Sequence, residues 1–364
     1  MGKSSASPDL LIGAIGNWYN AIVSYDAKKA QMQKALTEQL LRSAVTDKKI
    51  QTYHQLVEFR HKIFTNEILR DPLPENQAHV DESIVETDQV LNYLYHLMEG
   101  RMAFQRENYL QSLGHYQKAE RSIHSVSELE RAEFFFLLGE GFYRINQYMH
   151  ASLYLDLAKE IFELSSRHDE RVIACTSLQA SIYSELRLYH QAEEFFLDCL
   201  EQPNLKPFNR SIHLRAYGLH KERNGMLQDA RDYYDEALHT GDQYDTLIGS
   251  KTKTNLANVL LRLGDCSGVA LLEEAEEDMK TFNLVEFTAR NRITRGLYVS
   301  SIDLLLVDQG LDELVNQELY FEATEAYEEV AAVLEMDQQF ELALSYMRMA
   351  NELRLKQFSI GINN

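Results

Sequence analysis

Hydrophobic residues recur every three or four positions through the first 70 residues, a spacing that predicts amphipathic helices. The first predicted helix covers Leu10–Tyr25 and the second covers Lys28–Ser43. Thr46 or Asp47 can cap a third helix that reaches about Leu69. We therefore predict an N-terminal three-helix bundle over residues 1–70.

The stretch RDPLPENQAHVDES follows this bundle and contains two prolines among acidic and amide side chains. Such a composition is typical of a linker. We place the linker at residues 71–85 and a second domain at residues 86–364.

From about residue 86, small residues recur in pairs that are 19 positions apart. A further small residue precedes the second member of each pair by seven positions, and an aromatic ring precedes it by three positions in three of the four copies. The pairs are Gly100 with Ala119, Gly139 with Ala158, Ala180 with Cys199, and Gly218 with Ala237. Another copy can be traced through Ala331, Ala343 and Ala350, whereas copies near Ala257 and Gly296 are degenerate.

This pattern is typical of tetratricopeptide repeats, in which small side chains let two antiparallel helices approach and a ring fills the gap to the next pair. A generic helical bundle would not be expected to align four copies with three small sites each. The predicted fold class is therefore all-α: a three-helix bundle followed by a right-handed superhelix of tetratricopeptide repeats. Arrays of this kind bind other molecules on their surfaces.

The composition agrees with a folded helical protein. Of the 364 residues, 45% are hydrophobic and 25% are charged, while only five are proline. The sequence has neither an apolar run of 18 residues nor a secretory signal. Because the three cysteines are far apart, we expect free thiols in a cytoplasmic protein.

The formal net charge of −20 is unevenly distributed. Residues 1–70 contain 10 Lys and Arg against 6 Asp and Glu, so the remaining 294 residues contain 26 against 50. The second domain should therefore repel nucleic acid, whereas the basic bundle suits an acidic protein or a phosphate.

Sequence motifs for chemistry are scarce. We find no nucleotide loop, HExxH, CxxC or GxSxG motif, and the 12 histidines show no metal-ligand spacing. We therefore expect no cofactor and no metal. A DNA-binding helix-turn-helix usually needs a tight turn, but no glycine occurs between Gly16 and Gly100. No direct contact with nucleic acid is expected.

A polar stripe follows one face of the third predicted helix. Lys48, Gln51 and Gln55 recur at helical spacing beside an apolar stripe that contains Ile50 and Leu56. We interpret the polar stripe as part of a partner-binding face. The alternative is that it only faces water.

Three sequence motifs carry a resemblance to a known family. NWYNAI lies in the first predicted helix, LVEFRHKIF in the third, and SELERAEFFFLLGEGFY near the start of the repeats. In these motifs, and in the length and order of the whole chain, the sequence resembles the Rap family of Bacillus regulators.

The resemblance implies a specific biology. Family members bind response regulators: some dephosphorylate an aspartyl phosphate, and others block the DNA-binding domain of a transcription factor. Short secreted Phr peptides bind their repeat domain and switch them off. The basic bundle and the acidic repeats of this chain fit an acidic receiver domain and a peptide with a basic residue.

Several residues depart from the family pattern in the bundle. The glutamine that orients the attacking water in family phosphatases aligns with Lys48, whose ammonium has no acceptor atom. Gln51 and Gln55 are the candidate catalytic residues in its place. We expect four residues of this helix to contact the partner protein: Lys48, Gln51, Gln55 and Glu58.

The repeat domain also departs from the family pattern. Glu130 matches the second member of an acidic pair whose first position is Ser127, and we assign Glu130 to partner binding. The asparagine that anchors the peptide in the family aligns with Ala216, whereas the acidic anchor aligns with Glu185. We expect the peptide to be bound by four residues: Tyr183, Glu185, Asn255 and Asn258.

Three functions remain open at the level of the sequence. The first is an antagonist that sequesters a response regulator or a transcription factor. The second is an aspartyl-phosphate phosphatase with a displaced amide. The third is a peptide sensor that controls another protein, such as a regulator of a mobile element.

Overall fold

The structure, a computed structural model, describes residues 7–43, 46–65, 85, 88–164 and 169–360. These residues form helices and connecting turns and contain no strand, so the predicted all-α fold class is confirmed. The helices are α1 Pro8–Val23, α2 Ala27–Leu41, α3 Lys48–Phe64, α4 Gln89–Gln105, α5 Tyr109–Glu120, α6 Glu128–Arg144, α7 Tyr148–Glu163, α8 Asp169–Glu185, α9 Tyr189–Leu200, α10 Pro207–Arg223, α11 Leu227–Leu238, α12 Leu247–Arg262, α13 Ser267–Phe282, α14 Val285–Tyr298, α15 Leu304–Asn316, α16 Tyr320–Met336 and α17 Phe340–Ile360.

The first three helices begin at side-chain caps. Ser7 accepts a hydrogen bond from the backbone N–H of Leu10, and Asp26 accepts one from Lys29. Asp47 accepts one from Ile50 at 2.8 Å, which identifies Asp47 as the cap of α3. Such caps satisfy backbone donors that have no partner within the helix. Residues 66–84, which contain most of the predicted linker, lie outside the described residues, so the predicted domain boundary stays a prediction.

Helices α4 to α17 form seven consecutive hairpins, each with a short turn, in the described part of the chain. The small residues predicted from the sequence lie where the two helices of a hairpin meet. A side chain at Gly218 would lie 2.7 Å from the ring of Tyr234, and one at Gly100 would overlap the ring of Tyr116. The Tyr116 ring also meets Phe134 of the next hairpin edge-on, as expected for a ring that links neighbouring repeats.

The chain divides into two compact units. The first unit lies within Met1–Gln105, Tyr109–Gly141 and Leu153–Val172 and therefore contains α1–α3 together with the first repeat helices. The second unit lies within Arg106–Asn108, Phe142–Ser152 and Ile173–Asn364 and contains the remaining hairpins.

Each unit has an apolar core. In the first unit, Trp18 is fully buried, and its indole N–H donates to Nδ1 of His61 at 3.1 Å. In the second unit, Tyr234 packs with Leu256 and Val259. No described helix is long and apolar enough to cross a membrane. The three cysteines are free thiols, as predicted.

The close contact at Gly218 leads to the first prediction. Gly218→Ala should lower the free energy of unfolding by about 1–3 kcal/mol, because the new methyl group collides with Tyr234 in a packed core. Gly114→Ala is the matched control: it is a helical glycine with open space around it, and the substitution should stabilise by about 0.5–1 kcal/mol. Urea unfolding of both variants measures the difference, and equal effects would contradict the packing assigned to the repeats.

Candidate functional sites

The first candidate site is the polar face of α3 in the first unit. Lys48, Gln51 and Gln55 are all exposed there, and Glu58 is half-buried. The side-chain N–H of Gln51 donates to Oγ1 of Thr46 at 2.9 Å, which leaves its amide oxygen available as an acceptor. Gln55 lies one turn further along the helix, about 5 Å away. The structure thus brings the predicted lysine and both amides onto one accessible surface.

The opposite face of α3 is fixed by a buried ion pair. The Arg60 guanidinium donates two hydrogen bonds to the Glu130 carboxylate, each at 3.1 Å, and both side chains are at most 4% exposed. The Tyr93 hydroxyl donates a further hydrogen bond to Glu130. The Glu130 carboxylate is enclosed in this structure and holds α3 against α6, and its predicted contact with the partner protein stays a prediction.

A second carboxylate on α6 binds two more groups of the first unit. Glu133 accepts two hydrogen bonds from Arg171, at 2.7 and 2.9 Å, and one from the Tyr25 hydroxyl. Although burial acts to raise the pKa of Glu133, the neighbouring arginines Arg171 and Arg60 hold it below the ordinary value. Glu133 lies in the motif SELERAEFFFLLGEGFY, but no role was predicted for it. The signal was available, because Glu130 and Glu133 are adjacent on one helical face.

The second candidate site is a set of charged residues in the second unit, which we call the charged network. Arg144 donates to Glu286 and Glu322, Arg223 to Glu185 and Glu325, and Arg290 to Glu286 and Glu325. These pairs join α6, α8, α10, α14 and α16, which are the first helices of their hairpins. No sequence pattern indicated the network, because its partners are up to 178 positions apart.

Shared cations leave some carboxyls of the network short of positive charge. Burial raises the pKa of Glu322 to about 7, although Arg144 opposes the shift. Glu286, which is also buried, has a pKa lowered to about 2 because Arg144, Arg290 and Lys251 surround it. Burial likewise raises the pKa of Glu185 to about 7, against the effect of Arg223.

Each of the four residues predicted to bind the peptide has contacts within the second unit. Glu185 is 5% exposed, lies 2.7 Å from an Arg223 nitrogen, and accepts a hydrogen bond from the Tyr143 hydroxyl. Asn258 uses both amide atoms, in bonds to Thr294, Glu329 and Arg262.

Tyr183 is half-buried and packs edge-on against Phe195. Asn255 accepts a hydrogen bond from Arg215 at 2.9 Å. The structure therefore brings Glu185 and both asparagines into the interior of the second unit, while Tyr183 contributes to its core. The role of all four in peptide binding stays a prediction.

Comparison with known proteins places this geometry in a family. The family model for response regulator aspartate phosphatase H, N-terminal domain, matches residues 7–66, which include all of α1–α3. Response regulator aspartate phosphatase E of Bacillus subtilis is 28% identical over 238 residues, which are 62% of either protein. That match therefore spans less than two thirds of the relative.

Two further comparisons extend over nearly the whole chain. A protein of Rhodococcus hoagii, named type II methyltransferase M.CeqI, is 34% identical over 369 residues, which cover 99% of this chain and 70% of that protein. The crystal structure of a Rap protein complexed with competence and sporulation factor has a TM-score of 0.83 and 19% identity, and the match covers 96% of this chain and 99% of that one.

The bundle and the hairpin array define a helical repeat protein that begins with a three-helix bundle. The chain belongs to the Rap family, of which it is a divergent member.

The buried pair in the first unit yields a stability prediction. Arg60→Met should lower the free energy of unfolding by about 3–5 kcal/mol, because it leaves the Glu130 carboxylate buried without its cation. Adding Glu130→Gln should recover part of this loss, since no unpaired charge then remains. Arg131→Met, which removes a similar but exposed pair with Glu128, should change stability by about 0.5 kcal/mol or less. Equal losses at Arg60 and Arg131 would refute the role assigned to the pair.

The raised pKa of Glu322 predicts a dependence of stability on pH. The folded protein holds the proton up to about pH 7, whereas the unfolded chain releases it near pH 4.5. The folded state therefore binds more protons in this window, and the contribution of Glu322 to stability falls as the pH rises from 4.5 to 7. Glu322→Gln should flatten the decline. Chemical denaturation at several pH values measures it, with Glu277→Gln as the surface control; an unchanged slope in Glu322→Gln would contradict the assignment.

Proposed function

We propose that the protein is a peptide-regulated regulator in the cytoplasm that binds a response regulator or a transcription factor and inhibits it by sequestration. One observation carries the proposal: α3 lies in the segment matched by the family model and exposes Lys48, Gln51 and Gln55 on one face. Buried groups such as Arg60 fix the other face of this helix. A fixed helix with an accessible polar stripe is suited to contact a protein surface.

Charge supports an acidic partner. Residues 1–70 contain more basic than acidic residues although the whole chain has a formal net charge of −20. Lys48 and Lys62 are exposed on α3, and Lys49 is more than half exposed while pairing with Asp88. Electrostatic complementarity of this kind increases the rate of association and selects against basic partners.

Sequestration is favoured over catalysis by the chemistry of Lys48. A water that attacks a phosphorus atom must be oriented by a group that accepts its proton or hydrogen bond. The ammonium of Lys48 has three donors and no acceptor, so it can bind a phosphoryl oxygen but cannot orient the water. Binding of a phosphorylated or acidic surface is therefore the better use of this residue.

Aspartyl-phosphate hydrolysis is the second candidate function. It is supported by the name of the Bacillus subtilis relative, response regulator aspartate phosphatase E, and by the exposed amides of Gln51 and Gln55. Either amide oxygen can accept from water while its N–H donates to a phosphoryl oxygen. The further alternative, control of a mobile-element regulator, stays a prediction.

Control by a short peptide is the regulatory part of the proposal. The candidate peptide residues Glu185 and Asn258 already have partners inside the second unit, so a peptide that uses them must exchange those partners. An exchange of buried pairs is a discrete rearrangement. If the partner protein and the peptide prefer different arrangements, each lowers the affinity of the other by the same factor.

A phosphate-release assay separates the two candidate functions. With a receiver domain phosphorylated on its aspartate, the wild-type protein should form a complex but release phosphate no faster than buffer. Lys48→Gln should accelerate release, because it places an acceptor where the ammonium stands. Gln55→Ala should weaken complex formation several-fold. Release by the wild-type protein that is lost in Gln51→Ala or Gln55→Ala would instead establish the phosphatase.

Size-exclusion chromatography measures the complex directly. The control is Lys280→Gln, which removes an exposed lysine of the second unit that pairs with Glu277. Its complex should elute as the wild-type complex does. If no receiver domain and no transcription factor from the same genome forms a complex with the wild-type protein, the sequestration proposal fails.

A further inference from the structure

Arg215 differs from the other arginines in the interior of the second unit. Arg144, Arg223, Arg262 and Arg290 each lie within ion-pair distance of at least one carboxylate. Arg215 has no such carboxylate among the described residues and donates to the neutral amide of Asn255 instead. Its Nε–H, which is shielded from solvent, has no acceptor in the described structure. Arg215 as a whole is half-buried, and a shielded N–H donor without an acceptor on a cation without an anion is costly, so this arrangement needs an explanation.

Two buried neighbours also have unsatisfied polar atoms. Asn291 is 1% exposed, and neither its amide nitrogen nor its amide oxygen has a described partner. Thr254 is 2% exposed, and its hydroxyl is likewise without one. Most buried polar groups in native proteins are paired, so three such residues together are unusual.

Contacts between α12 and α14 bring together the helical turns that contain these residues. Lys251 Nζ lies 4.7 Å from the centre of the Phe287 ring, and the Asn258 amide donates to Thr294 one to two turns further along. Thr254 and Asn255 lie between these two contacts on α12, and Asn291 lies between them on α14. Because Arg215 donates to Asn255, it joins the same cluster from α10.

The electrostatic surroundings of Arg215 favour a negative ligand. The Arg215 guanidinium lies 5.9 Å from the centre of the Phe287 ring, and the Lys251 ammonium lies over the same ring. Burial lowers the pKa of Arg215 from its ordinary value, and the nearby Arg144 and Arg290 lower it further, while Glu286 acts in the opposite direction. The carboxylates in this region are already paired with other cations: Glu107 with Lys251, Glu286 and Glu322 with Arg144, and Glu325 with Arg290. Arg215 is therefore the cation that has no carboxylate of its own among the described residues.

We infer that Arg215, Thr254, Asn255 and Asn291 form a carboxylate-binding subsite, which takes the carboxylate of a bound peptide together with an adjacent peptide N–H. The guanidinium Nε–H would donate to the carboxylate, for which its planar geometry is well suited. The Asn291 amide nitrogen and the Thr254 hydroxyl supply further donors. The Asn291 amide oxygen accepts the peptide N–H, a pairing that a simple inorganic anion does not offer.

This subsite deepens the proposed function, because it rests on the second unit binding a peptide, and it adds a recognition rule. The charge of the whole second domain suggests a basic peptide, whereas this subsite selects a carboxylate. The carboxylate can be the C-terminus of the peptide or an acidic side chain, and the two sources are distinguishable by experiment.

Thermal unfolding of the full chain with small probes tests the inference. N-acetylglycine carries a terminal carboxylate next to an amide N–H, and N-acetylglycinamide is its neutral analogue. N-acetyl-aspartic acid α-amide is the second carboxylate probe, because its only carboxylate is that of the side chain. We expect at least one carboxylate probe at tens of millimolar to raise the melting temperature by about 1 °C or more, and the neutral analogue to have no effect.

Variants identify the groups that bind the probe. Arg215→Gln should abolish the shift without lowering the melting temperature of the free protein, because it removes a guanidinium that has no carboxylate partner. Asn291→Leu should weaken the shift and leave the free protein as stable or more stable, since an unsatisfied amide is replaced by an apolar group of similar size. Arg231→Gln, which removes an exposed arginine paired with Asp232, should keep the full shift.

Three outcomes would overturn the inference: no shift with either carboxylate probe, an undiminished shift in Arg215→Gln, or an equal shift with sodium sulfate at matched ionic strength. A failure of the proposed function looks different. If carboxylate probes bind through Arg215 but no peptide affects a partner complex, the subsite stands and the regulatory proposal fails. If an active peptide acts equally well with its carboxylates amidated, the regulatory proposal stands and the carboxylate-binding subsite is refuted.

Discussion

A charge removed from water must be compensated, and this constraint organises the interior of both units. In the first unit, Arg60 of α3 meets Glu130 of the repeat helix α6 in a buried ion pair. In the second unit, arginines and glutamates of the first helices of the hairpins pair with one another. Because an unpaired buried charge costs several kcal/mol, these pairs fix which residues can lie opposite each other. Apolar packing alone would be less selective.

The same constraint separates structural from functional residues. On α3, the residues that contact the protein interior, such as Arg60 and His61, have well-defined partners, whereas Gln51 and Gln55 project from the other face. A helix that is fixed on one face presents its other face with little loss of side-chain and backbone entropy on binding. Glu130 is buried against Arg60 and holds α3 in position, and its contact with a partner protein stays a prediction.

The sequence predicted the fold well because the fold depends on local periodicity. The spacing of small residues located the hairpins, and Gly218 and Tyr234 meet as that spacing requires. The degenerate copies near Ala257 and Gly296 also form hairpins, since a glycine or alanine still lies at the helix contact. Helix starts such as Asp47 followed from capping preferences.

The sites were predicted less completely because they depend on contacts that are distant in sequence. The polar stripe of α3 is local, so its exposure followed from helical spacing. The burial of Glu130 required knowing that Arg60, 70 positions earlier, lies opposite it. The pairing of Glu185 with Arg223 and the isolation of Arg215 are likewise properties of the assembled repeats, which no single-sequence pattern reveals.

These pairings bear on which ligand the second unit accepts at least cost. A cationic side chain that approaches Glu185 must compete with Arg223, whose guanidinium is already held by Glu185 and Glu325, so its binding energy is offset by the loss of those contacts. A carboxylate that approaches Arg215 displaces no anion and satisfies donors that have no acceptor in the described structure. For ligands of equal size, the anionic group therefore gains more net free energy from this interior than the cationic group does, although the domain as a whole is acidic.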